Sequence, residues 1–147
     1  FSLIAGFFLG STSALVVDNK SNIIFSEKEL IKKMPIRFLN KLRINDRKEW
    51  EETLTLIRDN ILTNSSNVGL ISVGDIDEKT INTITDEFNK ILGPKSLVSS
   101  KSLVEINNCD AQIAIASTGL IKRSDLDSFQ NQINIQNKDI SGWILIS

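Results

Sequence analysis

The chain has 147 residues, which is enough for one ordinary domain and a short additional segment. Its net charge of −1 and its isoelectric point near 5.5 argue against a nucleic-acid partner, because nucleic-acid-binding proteins usually carry a strongly basic face. The sequence contains no histidine and one cysteine, Cys109, which excludes histidine-ligated metal sites, imidazole catalysis and an intrachain disulfide.

The first segment of the chain carries no charge and predicts a membrane-spanning helix. Residues 1–17 read FSLIAGFFLGSTSALVV, which is at the short end of the range for a span. Because the sequence starts without a methionine, we expect it to be part of a longer protein that supplies the beginning of this helix. Residues 18–43 hold seven cations and three acids, and this bias predicts that the chain after about residue 18 lies in the cytoplasm. A cleaved secretory signal and a buried core helix are the alternatives for this segment.

A linker and an α/β unit are predicted to follow. We expect residues 18–45 to form a juxtamembrane linker with a short helix that starts at a capping-box sequence. Residues 36–42 mix apolar and basic side chains and fit either a short strand or a linker. In residues 46–147, strand-like runs alternate with helical spacing. Asp46 opens a predicted helix that runs to about Leu62, and a later helix is predicted over residues 123–130. This alternation predicts an α/β fold with a small, mainly parallel sheet of about four strands flanked by helices.

The centre of this unit is the stretch over residues 68–92, VGLISVGDIDEKTINTITDEFNKIL. It predicts a buried strand over residues 68–72, a turn, and a helix over residues 78–92. A strand, a tight loop and a helix that opens on Lys79 and Thr80 is the layout of a phosphate-binding loop.

The loop itself departs from that chemistry. Backbone amides can surround a phosphate only where no Cβ intrudes, which is why such loops are rich in glycine. Here residues 75–78 read DIDE, with one branched side chain and three carboxylates. We therefore interpret the layout as a degenerate P-loop, in which Lys79 and Thr80 are vestigial positions and no cofactor or metal is bound.

The order of these segments resembles that of the polysaccharide co-polymerases, the bacterial chain-length determinants, many of which are fused to a tyrosine kinase domain. Residues 26–36 resemble the family's segment after its second membrane helix, and residues 52–61 (ETLTLIRDNI) are similar to a helix motif of the kinase domain. The sequence SVGDIDEKT stands where the family has its phosphate loop. Residues 109–146 resemble the closing unit of the domain.

The resemblance implies the C-terminal part of a polysaccharide chain-length determinant in the bacterial inner membrane, with a kinase-like cytoplasmic domain. The departures from the family imply that this domain is not an enzyme. Only residues 81–109 separate Thr80 from Asp110, which is too short for the family's second Walker motif and its metal site. Phosphoryl transfer depends on that metal for much of its charge stabilisation.

We accordingly expect a catalytically inactive scaffold. The resemblance implies a homo-oligomer whose further partners are membrane lipid and the polysaccharide assembly machinery. Glu52 and Arg58 fall on the helix motif that mediates ring contacts in the family, and they are the candidate oligomer contacts.

Two other functions stay open. One is a weakly active nucleotide-dependent regulator of the ParA or MinD type, or of the tyrosine-kinase type, which would use Lys79 and an acid such as Asp110. The other is an exported soluble interaction domain, for which residues 1–17 would be a cleaved signal.

Overall fold

The computed structural model describes residues 22–93, 95–136 and 138–147. The predicted membrane span over residues 1–17 lies outside the described residues. No helix in the described part of the chain is both long enough and apolar enough to cross a membrane. In chain order the elements are α1 (Glu27–Lys33), β1 (Phe38–Leu42), α2 (Arg47–Asn60), β2 (Asn67–Ser72), α3 (Glu78–Leu92), β3 (Ser96–Ser100), α4 (Leu103–Ile106), β4 (Ala111–Ala116), α5 (Arg123–Ile135) and β5 (Gly142–Ile146).

The five strands form one parallel sheet in the order β1-β5-β4-β2-β3. The predicted α/β class with a parallel sheet is therefore confirmed. The sheet has five strands where the sequence predicted about four, because β1 pairs with β5. Residues 27–42 fell in the predicted linker, yet α1 and β1 pack as part of the α/β unit. An edge strand is only partly covered, so β1 lacks the continuous apolar run that marks β2 and β4.

Both faces of the sheet are covered by helices. On one face α2 and α3 pack together, and Trp50 and Phe88 meet edge to face with ring centroids 6.4 Å apart. On the other face α1, α4 and α5 cover the sheet, with Leu30, Ile106 and Phe129 among the buried side chains. Successive residues of each strand point to opposite faces, so both cores draw on the same strands.

The helix starts follow the predicted capping chemistry. Ser26 Oγ accepts a hydrogen bond from the amide of Glu29 at 3.3 Å, and Asp46 Oδ1 accepts one from the amide of Glu49 at 3.2 Å. These bonds satisfy amides that lack a partner inside the first helical turn. The sequence therefore located the start of α1 and of α2.

The connection after β2 lies on the opposite face of the sheet from the connections after its two neighbouring strands, β3 and β4. After β2 the chain passes to α3 on one face, whereas after β3 and β4 it passes to α4 and α5 on the other. Neighbouring strands whose connections diverge in this way leave a crevice at their carboxyl ends, where open α/β sheets bind ligands. We therefore expect a ligand site at the carboxyl end of β2.

A buried amide pair ties the opposite end of the sheet together. Gln112 in β4 is fully buried, and its Nε2 donates to the carbonyl oxygen of Ile106 at 3.0 Å. Gln136, just after α5, donates its Nε2 to Gln112 Oε1 at 2.7 Å. The side chain of Gln112 thus joins β4 to the ends of two helices.

We expect the substitution Gln112→Ala to lower the free energy of unfolding by about 2 kcal/mol or more, because it removes the hydrogen bonds from Gln112 to Ile106 and from Gln136 to Gln112 and opens a cavity. The exposed Gln130→Ala on α5 is the matched control, and its effect should stay within about 0.5 kcal/mol. Urea denaturation of both variants measures the difference. An unfolding midpoint equal to that of the unmodified chain would contradict this role for Gln112.

Candidate functional site

A small cleft lies beside the carboxyl end of β2, on the face covered by α5. It exists because the chain leaves β2 toward the other face, so no connection covers this spot. Its volume is about 180 Å³, and its lining residues are Ile71, Ser72, Val73, Gly74, Lys101, Asp125, Ser128, Phe129 and Gln132.

The polar side chains of the cleft come from three parts of the chain: α5, the residue after β3, and Ser72 at the end of β2. Asp125, Ser128 and Gln132 are spaced three and four residues apart, which places them on one face of α5. Lys101 follows the end of β3. One oxygen of Asp125 accepts a hydrogen bond from the amide of Lys122 at 2.9 Å, which caps α5. Ligand pockets usually measure about 300 to 1,000 Å³, so this cleft is too small for a nucleotide.

The backbone of the loop between β2 and α3 is hydrogen-bonded to β4 and to the turn that follows β4. The amide of Val73 donates to the carbonyl oxygen of Ile115 at 2.9 Å, and the amide of Asp75 donates to that of Leu120 at 2.7 Å. Gly74 has φ of +92°, and a Cβ there would lie 2.7 Å from the carbonyl oxygen of Leu120. The glycine thus permits a close approach between two protein segments.

The side chains of the loop oppose anion binding. Ile76 is 1% exposed and belongs to the core beneath α2 and α3. The carboxylates of Asp75, Asp77 and Glu78 are all on exposed residues around the start of α3. An anion at this helix terminus would meet three negative charges, and these offset the attraction of the helix dipole.

The vestigial P-loop positions lie in the first turn of α3. Lys79 is exposed and Thr80 is half-buried. Lys79 forms no salt bridge with another described residue. Within the same described ranges, no three acidic or cysteine side chains come close enough to hold a metal ion.

Asp110 lies at the amino edge of the sheet, directly before β4. Its Oδ2 accepts hydrogen bonds from the hydroxyl of Ser66 at 2.8 Å and from the amides of Ser66 and Asn67 at 3.1 and 3.3 Å. The hydroxyl of Ser66 and then the two amides lower the pKa of the Asp110 carboxyl. The length of β4, about 20 Å for six residues, separates Asp110 from the edge that carries Lys79. The two residues therefore do not share a nucleotide site.

The candidate oligomer contacts differ in their surroundings. Arg58 Nη1 donates to the carbonyl oxygen of Ile91 at 2.9 Å, and Arg58 Nε donates to Asp59 Oδ1 at 3.0 Å. Arg58 thus supports the last turn of α3 from within the same chain. Glu52 is exposed on α2 and forms no salt bridge with another described residue. Of these two residues, only Glu52 has a charge that is not paired with another described residue.

Sequence reasoning did not identify the residues that line the cleft. The three-and-four spacing of Asp125, Ser128 and Gln132 was a usable signal, but the helix was predicted to end at Gln130. Lys101 carried no signal at all, because only the pairing of β3 beside β2 brings it to this edge.

The chain matches no protein-family model, no curated protein and no solved structure. The resemblance to the polysaccharide co-polymerases accordingly stays a prediction from the sequence. Parallel α/β sheets support many unrelated functions, so the fold class does not select one of them. Function has to be inferred from the loop and from the cleft.

We expect a nuclear magnetic resonance titration of the Asp110 carboxyl to give a midpoint below the ordinary value of 3.8. Since the folded state favours the carboxylate, the stability that it contributes is fully present above the ordinary pKa and is lost as the pH falls through the lowered pKa. Ser66→Ala removes the largest cause of the shift and should move the midpoint back toward 3.8. A midpoint at or above 3.8 in the unmodified chain would refute this description of the contact.

Proposed function

We propose that the chain is a non-catalytic scaffold, anchored to a bilayer by residues 1–17, whose α/β domain keeps the strand-loop-helix layout of a nucleotide-binding fold without binding nucleotide. The observation that carries the proposal is the closed loop after β2, in which the amide of Asp75 donates to the carbonyl oxygen of Leu120 at 2.7 Å.

The hydrogen bonds of the loop backbone support this proposal. In a phosphate loop, consecutive amides point at the ligand and the glycines let it approach. Here the amides of Val73 and Asp75 already donate to carbonyl oxygens on the β4 side. Gly74 brings the loop against Leu120, so the space that a phosphate would need is taken by protein backbone.

The charged side chains around the start of α3 also support the proposal. Two like charges 4 Å apart repel by about 4 kcal/mol near a protein surface. A nucleotide phosphate beside α3 would approach the exposed carboxylates of Asp75, Asp77 and Glu78, with Lys79 as the nearby cation. The three carboxylates outnumber the one cation, so the local charge disfavours binding of an anion. The small cleft beside β2 offers no alternative place for a nucleotide.

The resemblance in sequence supplies the biological setting of the proposal. The chain would be the C-terminal part of a polysaccharide chain-length determinant, in the bacterial inner membrane, with the α/β domain in the cytoplasm. Its function would be to pack copies of itself into an assembly that works with the polysaccharide assembly machinery. A domain without chemistry of its own fits such a role, because a scaffold needs only surfaces and a stable core.

The nucleotide prediction is tested by calorimetric titration of ATP and Mg²⁺ into the full chain in detergent micelles. We expect a dissociation constant weaker than about 1 mM, which corresponds to less than about 4 kcal/mol of binding free energy. Lys79→Ala is the matched variant, and it should leave the heats unchanged because the side chain of Lys79 is exposed. Micromolar binding that Lys79→Ala abolishes would instead establish the nucleotide-dependent regulator.

The assembly prediction is tested by analytical ultracentrifugation of the full chain in detergent. We expect an oligomer much heavier than the 16.4 kDa chain, and we expect Glu52→Arg to shift it toward the monomer by reversing an exposed charge on α2. Asp127→Arg makes the same charge reversal on α5, across the sheet, and should leave the oligomer intact. A monomer in the unmodified chain would overturn the proposed self-assembly.

A further inference from the structure

Two large apolar side chains stand exposed at the carboxyl edge of the sheet. Phe25 is 68% exposed and Leu120 is 43% exposed. The ring of Phe25 lies over Gly119, with ring carbons 3.6 and 3.7 Å from the point where a Cβ of Gly119 would be. We call Phe25 and Leu120 the rim patch.

The backbone beneath the rim patch is firmly held. Residues 22–24 run alongside residues 119–123: the amide of Ile24 donates to the carbonyl oxygen of Ile121 at 2.9 Å, and the amide of Gly119 donates to that of Ile24 at 2.8 Å. Ile24 itself is fully buried. Phe25 therefore extends outward from a fixed position. Leaving such a ring in water forgoes about 2 kcal/mol of burial free energy, which contact with an apolar partner would recover.

The position of the rim patch along the chain indicates that partner. Only residues 18–21 separate the uncharged segment 1–17 from Asn22, whose carbonyl oxygen accepts the amide of Arg123 at 2.8 Å. Four residues reach at most about 14 Å. If residues 1–17 lie in a bilayer, the edge that carries Phe25 lies within that distance of its surface.

We propose that the rim patch docks on the phospholipid bilayer in which the chain is anchored, with Phe25 and Leu120 inserted at the boundary between headgroups and acyl chains. The inference rests on the membrane anchor of the proposed function. Insertion of apolar side chains at this depth is the way interfacial segments bind membranes. The carboxyl edge of the sheet then faces the membrane, and every copy in an assembly has the same orientation.

The contact is apolar more than electrostatic. Lys28 and Lys122 are exposed close to the rim patch in sequence and favour anionic lipid. The exposed carboxylates at the same edge, those of Asp75, Asp77 and Glu78, oppose it. We therefore expect docking on zwitterionic phosphatidylcholine as well as on anionic lipid. A docking driven by charge would instead need the anionic lipid.

The test uses the full chain, reconstituted in phosphatidylcholine liposomes with brominated acyl chains that quench tryptophan. Phe25→Trp places a reporter in the rim patch, while the native Trp50 and Trp143 are 1% and 0% exposed and give a constant background. Ile135→Trp is the matched control, because Ile135 is 84% exposed but lies about 18 Å along α5 from the carboxyl edge. We expect brominated lipid to reduce the fluorescence of the Phe25→Trp reporter about twofold and to leave that of Ile135→Trp unchanged.

A carbonate wash of the same liposomes separates the failure of the anchor from the failure of docking. If the chain resists extraction and Phe25→Trp is not quenched, docking is overturned and the anchor stands. If carbonate extracts the chain, the anchor fails and the docking inference fails with it. Equal quenching of both reporters would mean nonspecific adsorption and would also overturn the inference. So would an unquenched Phe25→Trp whose emission is shifted to the blue, because a second copy or residues 1–17 would then cover the rim patch.

Discussion

Burial of both faces of a parallel sheet is the constraint on which this structure depends. Parallel strands are joined by crossover connections, and the helices in those connections cover the faces, so the central strands must be apolar on both sides. All six residues of β4 are buried, and five of them are apolar, the exception being Gln112. The two helical layers follow from this constraint: α2 and α3 on one face, and α1, α4 and α5 on the other.

The same constraint bears on the proposal that the chain has the layout of a nucleotide-binding fold but binds no nucleotide. The crossover after β2 takes the opposite face from its neighbours, which is the geometry that opens a ligand crevice in many α/β proteins. In this chain packing reduces that opening to the small cleft of about 180 Å³. Ile76 enters the core under α3, and the amide of Asp75 bonds to the turn after β4. Under that proposal, the loop keeps the order of a phosphate-binding loop while its residues stabilise the protein.

The amino edge and the carboxyl edge of the sheet differ in the contacts that their side chains make. The amino edge holds internal polar contacts, with Asp110 capping the start of β2 and Gln112 joining helix ends. The carboxyl edge holds the closed loop, the small cleft and the rim patch, and the chain enters the described domain there beside residues 119–123. The proposed membrane contact uses this carboxyl edge, which combines exposed apolar side chains with the point of chain entry.

The sequence by itself determined the local elements and the faces they bury. Periodicity located α3 over Glu78–Leu92, and short-range capping located the starts of α1 and α2, because these signals involve only near neighbours in the chain. It also showed that residues 75–78, directly before Lys79, hold three carboxylates and no glycine. Only the tertiary structure decided that β1 belongs to the sheet, that Asp110 lies at the other edge from Lys79, and that Lys101 faces α5 across a cleft. Strand order arises from contacts between distant segments, and no local pattern specifies which strand will lie beside which.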